Sequence, residues 1–316
     1  MTVAARLREA ADVSQSGPPQ SLEALVAAEL AEAVDPRVSA MAAALAALYP
    51  RAARAVLFYG SCLRERQLDG LMLDFYLIVS DYAVAYGKSW MVSANRLIPP
   101  NVFPFQHEGL VAKYAVLSEA DFHRLNGPET LSVSVWARFA QPSRLVWSAD
   151  TRASQAAVAS VARAAPTLLM AARPLFAGTD PLDLWRLGFQ LTYGAELRSE
   201  RKGRAASVVE ADPERYARFS GPALSAAGIL LDQEVSAAER GRGLRRWARM
   251  RRAGKALTVV RLMKASGTYA GGIDYLAWKI NRHAGTEIAI KPWQRRWPLV
   301  AALTLLPKLL RRGAIR

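Results

Sequence analysis

The chain has 316 residues, enough to bury a large core and, at usual domain sizes, to form two domains. Hydrophobic residues make up 52% and charged residues 22%, which excludes a disordered chain, and the single cysteine excludes an internal disulfide. The net charge of +15 is concentrated in residues 240–316, which hold 19 Lys and Arg against two acids. This basic segment predicts a polyanionic partner, either nucleic acid or an anionic membrane surface.

The N-terminal segment, residues 1–20, predicts disorder, and it lacks the apolar stretch of a signal peptide, so no export is expected. No stretch of the chain reaches the ~18 uninterrupted apolar residues that span a bilayer, so no transmembrane helix is expected. Three histidines and one cysteine are too few and too scattered for a zinc site. Residues 21–48 are rich in Ala and Leu and predict helix, broken near Asp35-Pro36.

A strand, a tight turn and a second strand follow. The β-branched and aromatic run Val56–Tyr59 stops at Gly60-Ser61, and Leu71–Val79 carries a single charge, Asp74. An ionised carboxylate among apolar neighbours is costly unless it is compensated. The compensating group is either an Arg or Lys side chain or a divalent metal. The turn favours the metal, because backbone N–H groups in a Gly-containing turn can cradle phosphate oxygens.

The next elements are a helix, two strands and a second isolated charge. Asp81–Leu97 predicts a helix interrupted at Gly87, and Val102–Phe105 predicts a short extended segment. Gly109–Ser118 is an apolar strand in which Lys113 is the one charge. Lys113 is either an edge-strand lysine that reaches solvent or a cation directed at a triphosphate.

Helices replace strands in the second half of the chain. A helix starting at Pro128 and carrying Trp136 and Arg138 precedes the last predicted strand, Ser143–Trp147. Thr151–Ala172 then predicts one Ala-rich helix. Two further helix starts are indicated by an aspartate followed by proline: Asp180-Pro181 and Asp212-Pro213. The predicted organisation is a disordered segment 1–20, a mixed α+β domain 21–150, a helical domain 151–240 and a basic amphipathic tail 241–316.

The tail combines cations with apolar and Trp residues at helical spacing. Arg245, Arg249 and Arg252 recur along one predicted helix, followed by Arg261 and Lys264. A second segment, 295–312, has an apolar centre between Arg pairs. This pattern favours an anionic membrane surface over nucleic acid. The alternative is a helix that packs on the body of the protein and exposes a basic side.

Four short blocks of the sequence form an ordered set: Tyr59–Ser61 with Met72–Phe75, then Lys113–Ser118, Ala137–Pro142 and Leu191–Arg198. In content and in order, these blocks resemble the mitochondrial-type phosphatidate cytidylyltransferases, the translocator assembly and maintenance family of CDP-diacylglycerol synthases. The family's Trp-His segment after the second strand has no counterpart here. The resemblance implies a nucleotidyltransferase fold (DNA polymerase β-like), a helical domain and peripheral attachment to the cytoplasmic side of the inner (plasma) membrane.

The reaction implied by the resemblance converts CTP and phosphatidic acid to CDP-diacylglycerol and pyrophosphate with Mg²⁺. Three acids are candidate metal ligands: Asp74, Asp69 and the family-matched Glu196. Asp74, Lys113 and Glu196 are the expected catalytic residues. Candidates for holding the nucleotide or the lipid phosphate are Gly60, Ser61, Lys113, Arg138, Tyr193 and Arg198. For each arginine the alternative is a structural ion pair.

Two other functions remain open on the sequence alone. One is a soluble nucleotidyltransferase acting on a tRNA end, a sugar phosphate or a protein. The other is a basic membrane-binding or nucleic-acid-binding protein without catalytic activity.

Overall fold

The computed structural model describes residues 20–65, 68–87, 89–195, 208–268 and 291–292. Most of the predicted disordered segment 1–20 and the tail segment 295–312 lie outside these residues. Within the described residues, five strands form one sheet: β1 Ala53–Tyr59, β2 Met72–Val79, β3 Asn101–His107, β4 Leu110–Ser118 and β5 Ser143–Ser148. The α+β class with a mixed sheet is therefore confirmed.

The sheet has the order β3-β4-β2-β1-β5. Strands β2 and β4 pair in parallel, and the other neighbours are antiparallel. A parallel pair needs a crossover connection, and here the chain between β2 and β4 supplies two helices and the edge strand β3. The crossover brings two strands that are distant in sequence to the centre of the sheet.

Seven helices accompany the strands in the described part of the first half: α1 Leu22–Leu30, α2 Pro36–Ala47, α3 Ser61–Glu65, α4 Tyr82–Tyr86, α5 Trp90–Leu97, α6 Glu119–Asn126 and α7 Trp136–Phe139. The predicted interruption at Gly87 is confirmed, because this glycine ends α4 with a φ of 64°. The helix predicted from Pro128 is wrong over most of its length. Short polar side chains bond within that segment, Ser132 N–H to Thr130 and Ser132 to Ser134, and compete with helical bonding.

Five more α-helices follow in the described residues after 150: α8 Thr151–Ala162, α9 Ala164–Ala172, α10 Pro181–Tyr193, α11 Pro213–Ala227 and α12 Ala237–Thr268. Both aspartate-proline starts are confirmed, since Asp180 and Asp212 accept hydrogen bonds from the first turns of α10 and α11. The single helix predicted over 151–172 divides at Arg163. Pro166, three residues further on, has no N–H to bond the carbonyl of Ala162, which favours the break.

The two faces of the sheet bury separate hydrophobic clusters. One face packs on α2 through residues such as Met41, Phe58 and Phe75. The other face carries Tyr76 and Ile78 and shares one continuous core with the helices after residue 150, including Trp185 of α10 and Trp247 of α12. The boundary expected near residue 150 therefore separates strands from helices along the chain, while the buried core runs across it.

The long helix α12 is attached to this core by its first half. Trp247 and Met250 are fully buried, and the Trp247 indole donates to the carbonyl of Ala171 at 2.8 Å. Gly254 allows close approach, because a Cβ there would lie 2.0 Å from the carbonyl oxygen of Ala195. The packing alternative for the basic helix thus holds for this half of α12. None of the described helices is long and apolar enough to cross a bilayer.

Candidate functional site

A row of three polar side chains crosses the centre of the sheet. In the pairing register Tyr59 of β1 lies opposite Asp74 of β2, and Asp74 lies beside Lys113 of β4. All three stand on the face that packs against the helical core, because alternation along β2 groups Asp74 with Tyr76 and Ile78. The two isolated charges of the sequence are therefore neighbours in the fold.

Asp74 and Lys113 form an ion pair. The Lys113 Nζ lies 3.0 Å from the Asp74 Oδ1, and the two side chains are 36% and 20% exposed. This distance is that of an ion pair, but the contact does not have the geometry of a hydrogen bond. The Oδ1 atom is buried and accepts no hydrogen bond from the described residues. Lysine compensation, the first of the two alternatives for Asp74, is thus present, and Oδ1 keeps acceptor capacity for a further group.

The Gly60 turn lies directly beside this carboxylate. Gly60 has a φ of 99°, and a Cβ at this position would lie 3.1 Å from the Asp74 Oδ2. Glycine is therefore needed both for the backbone conformation and for the close approach. Ser61 follows as the first residue of the short helix α3 and is partly exposed. The predicted adjacency of the turn and the acid is confirmed.

A cavity of about 170 Å³ opens next to the row. Its lining comes from strands β1, β2, β3 and β4, from the segment around α7 and from α12. The residues lining it are Tyr59, Phe75, Tyr76, Pro100, Val102, Lys113, Ala115, Ser134, Arg138, Arg261 and Lys264. Four of these are cationic, and no acidic residue of the described chain is among them. The electrostatics of this space favour an anionic ligand.

Arg138 is held in the cavity wall by two partners. Its guanidinium donates to the carbonyl of Ser134 and bonds the hydroxyl of Tyr59. Burial and the neighbouring Asp74 carboxylate raise the pKa of the Tyr59 hydroxyl well above its usual value. Tyr59 therefore stays protonated at physiological pH and can donate a hydrogen bond.

Arg261 and Lys264 enter the same cavity from α12. The sequence predicted them as part of a membrane-facing basic helix, because their spacing resembles that of Arg245 and Arg249. Periodicity reports that two side chains share a helix face, but it does not report what that face contacts. No sequence signal assigned these two cations to the site.

The remaining predicted site residues lie elsewhere or outside the described chain. Asp69 is 78% exposed and pairs with Arg37 of α2 at 3.0 Å, and α2 packs on the opposite face of the sheet from Asp74. Tyr193 ends α10 and packs against the helical core. Glu196 and Arg198 fall in residues 196–207, outside the described residues.

The fit of Mg²⁺ to this site depends on Asp74. The buried Oδ1, which accepts no hydrogen bond, is a suitable oxygen ligand, and Mg²⁺ is commonly held by one or two carboxylates together with substrate phosphates and waters. Within the described residues, no three His, Cys, Asp or Glu side chains are grouped around a common point. The donor set therefore fits an ion shared between Asp74 and a phosphate ligand, rather than an ion held by the protein alone.

Comparison with known proteins gives no family assignment for the chain. No family model matches the chain, and no curated protein matches it significantly.

Proposed function

We propose that the protein is a nucleotidyltransferase that transfers a cytidylyl group from CTP to phosphatidic acid, forming CDP-diacylglycerol and pyrophosphate. The observation that carries the proposal is the Gly60 turn in contact with Asp74, beside a cavity lined by four cationic side chains. A phosphate-cradling turn, a metal-binding acid and a cationic wall are the components that phosphoryl and nucleotidyl transfer require. The blocks shared with the cytidylyltransferase family supply the choice of CTP and lipid.

In the proposed reaction a phosphate oxygen of phosphatidic acid forms a bond to the α-phosphorus of CTP. The bond from that phosphorus to the bridging oxygen breaks, and pyrophosphate leaves with the electron pair. The protein aligns the two phosphates and neutralises the charge that develops on the leaving group. Lys113 and Arg138 lie where they can contact phosphate oxygens, and protonated Tyr59 can donate to one of them.

Mg²⁺, held by Asp74 and phosphate oxygens, would supply charge neutralisation at the reacting phosphates. Asp74 also keeps Lys113 in position, because the Nζ and Oδ1 atoms are 3.0 Å apart. The Gly60 turn excludes a side chain from the space over the Asp74 Oδ2 and leaves room for a ligand there.

The decisive assay supplies each labelled nucleoside triphosphate in turn, with Mg²⁺ and vesicles containing phosphatidic acid, and identifies the labelled product. We expect label in an organic-phase lipid with CTP alone, together with one equivalent of pyrophosphate. Label in tRNA, a sugar or the protein itself would instead support a nucleotidyltransferase with another acceptor. Absence of pyrophosphate release with every nucleotide would reject an enzyme of this class.

Attachment to an anionic membrane is part of the proposal, and a second cavity supports it. A groove of about 830 Å³ lies between α12 and the loops around residues 130 and 230. Five arginines and three glutamates line it. Among these arginines, Arg245 and Arg249 form no ion pair with an acid of the described residues. Leu131 and Leu230 in the same lining are exposed leucines. Cations beside exposed leucines suit the headgroup region of an anionic bilayer.

Leu230→Glu is expected to lower binding to vesicles that contain phosphatidic acid about 10-fold or more, because it removes a leucine worth about 1.5–3 kcal/mol when buried and adds a repelled charge. Leu230 is 66% exposed, so the fold is expected to survive the change. Vesicle flotation measures the binding. Leu48→Glu is the control, because Leu48 is 55% exposed and ends α2 on the other side of the sheet. Equal flotation of both variants and the unmodified protein would place the membrane contact elsewhere.

A further inference from the structure

The groove of about 830 Å³ beside the first half of α12 has the size of a ligand site. Pockets that bury a small molecule measure about 300–1,000 Å³. One wall of the groove is α12, and the others are the end of α9, the segment 128–131 and the loop 228–235 that follows α11. A molecule can therefore be enclosed between these elements as well as adsorbed on their surface.

Two arginines hold the walls of the groove in place. Arg173 donates from Nη2 to the carbonyls of Leu230, at 3.2 Å, and Gln233. Arg246 of α12 donates from Nη2 to the carbonyl of Pro128 at 2.9 Å. Because both anchors bond the backbone, the loop and the segment are fixed relative to the helices. A preformed site loses less conformational freedom when a ligand binds.

Three other arginines form a stripe along the α12 wall. Arg242, Arg245 and Arg249 all line the groove, and their spacing of three and four residues places them on one side of the helix. Among the described residues, Arg245 and Arg249 form no ion pair with an acid. The five arginines of the lining exceed its three glutamates by two positive charges.

The glutamates of the lining do not cancel this stripe. Glu129 pairs with Arg163, which lies outside the lining. Glu239 accepts hydrogen bonds from the Ser236 N–H, at 2.9 Å, and from the Ser236 hydroxyl, at 2.6 Å. Glu234 is exposed to solvent. The groove therefore favours a ligand that carries negative charge.

The groove also presents apolar surface to its ligand. Leu131 and Leu230 line it and are 47% and 66% exposed. Ile229, in the same lining, is partly buried against the helical core. Inorganic phosphate would contact the cations but would leave the leucines in water. An anionic glycerophospholipid has a phosphate and aliphatic chains in one molecule, and its chains can continue from the groove into a bilayer.

We propose that this groove binds one molecule of an anionic glycerophospholipid, with its phosphate on Arg245 and Arg249 and its chains against Leu131 and Leu230. This inference rests on the proposed membrane attachment for the source of the lipid. The lipid is a ligand that anchors the protein and is distinct from the acceptor of the cytidylyl group. Arg249 and the cavity residue Arg261 are twelve residues apart on α12, or about 18 Å along its axis.

The test is calorimetric titration of the full chain with dihexanoyl phosphatidylglycerol, kept below the concentration at which it forms micelles. A monomeric lipid reports a binding site, whereas a vesicle also reports adsorption to a bilayer. This lipid has no terminal phosphate, so it cannot accept a cytidylyl group in the proposed reaction. We expect saturable binding of one lipid per chain.

The chain with both Arg245→Met and Arg249→Met is expected to bind this lipid at least about tenfold more weakly, because charge-assisted contacts are lost. The chain with both Arg251→Met and Arg252→Met is the matched control. Arg251 and Arg252 are exposed on the same helix and lie outside the groove lining, so binding within about twofold of the unmodified chain is expected.

Four results would overturn the proposal. The first is no lipid binding by the unmodified chain, which would favour an acidic segment of a partner protein as the occupant. The second is equal binding of the zwitterionic dihexanoyl phosphatidylcholine, and the third is equal binding of glycerol 3-phosphate, which has no acyl chains. The fourth is unchanged lipid binding by a folded chain with both groove arginines replaced.

Single glutamine variants provide a second route to the same answer. If the double methionine variant melts early, Arg245→Gln and Arg249→Gln are each expected to weaken lipid binding about threefold or more, and unchanged binding by both would contradict the proposal. The titration contains neither CTP nor Mg²⁺. It can therefore succeed where the cytidylyltransferase assay fails, and the reverse.

Discussion

Asp74→Asn is expected to lower kcat/KM for nucleotidyl transfer about 100-fold or more, with the larger part of the loss in kcat. The amide keeps the size of the side chain but removes the charge that pairs with Lys113 at 3.0 Å and that would hold a divalent cation in the proposed mechanism. Because Lys113 is 36% exposed, its ammonium group can regain water, and the melting temperature should change by only a few degrees. Steady-state pyrophosphate release measures the activity.

Asp183→Asn provides the matched control for that experiment. Asp183 also pairs with a cation, Arg186, at 2.8 Å, but it lies on the exposed surface of α10. Its substitution should leave transfer within about twofold, since an exposed ion pair contributes ~0–1 kcal/mol. Full activity of the Asp74→Asn chain would remove this carboxylate from the mechanism. A chain that loses activity only because it unfolds would give Asp74 a structural role.

Arg215→Ala is expected to destabilise the protein by about 3–5 kcal/mol, because it leaves a buried carboxylate without its partner. Arg215 of α11 and Glu29 of α1 are 4% and 5% exposed, and they pair through two bonds, one of 2.9 Å between Nη2 and Oε1. The guanidinium also donates to the carbonyl of Ala140 at 3.2 Å and lies over the ring of Phe219. Urea unfolding followed by circular dichroism measures the loss.

Two further variants separate the buried pair from ordinary surface charge. Arg186→Ala breaks two exposed ion pairs, with Asp183 and Glu210, and should cost no more than about 1 kcal/mol. Replacing Glu29 and Arg215 together by methionine should be less damaging than Arg215→Ala, since no unpaired charge stays buried. If the double variant were the less stable of the two, the ion pair itself would be the source of stability.

The local part of the site could be predicted from the sequence. Gly60 stops one strand and Asp74 stands in the next, and hydrogen-bonded neighbouring strands bring the two together. The two-residue alternation of a strand likewise places Tyr76 and Ile78 on the face of Asp74, and both are buried in the core on that face. The helix starts at Asp180 and Asp212 could also be predicted, because each depends on a side-chain cap formed within the first turn of its helix.

Contacts between distant segments could not be predicted in the same way. Lys113 lies 39 residues after Asp74, and their pairing depends on the parallel register of β2 and β4, which no local pattern encodes. The position of Arg261 and Lys264 depends on how Trp247 and Met250 dock α12 on the core. A cation at helical spacing looks the same in sequence when it faces a bilayer, water or a cavity.

Because α12 carries two of the four cavity cations, the order of synthesis matters for the protein. Asp74, Lys113 and Arg138 leave the ribosome long before Arg261 and Lys264, and N-terminal parts of a chain can fold while the rest is translated. A nascent polypeptide with its sheet already formed would still lack half of the charged wall. The growing chain is therefore expected to have an incomplete cavity until translation has passed Lys264 and the helix has emerged.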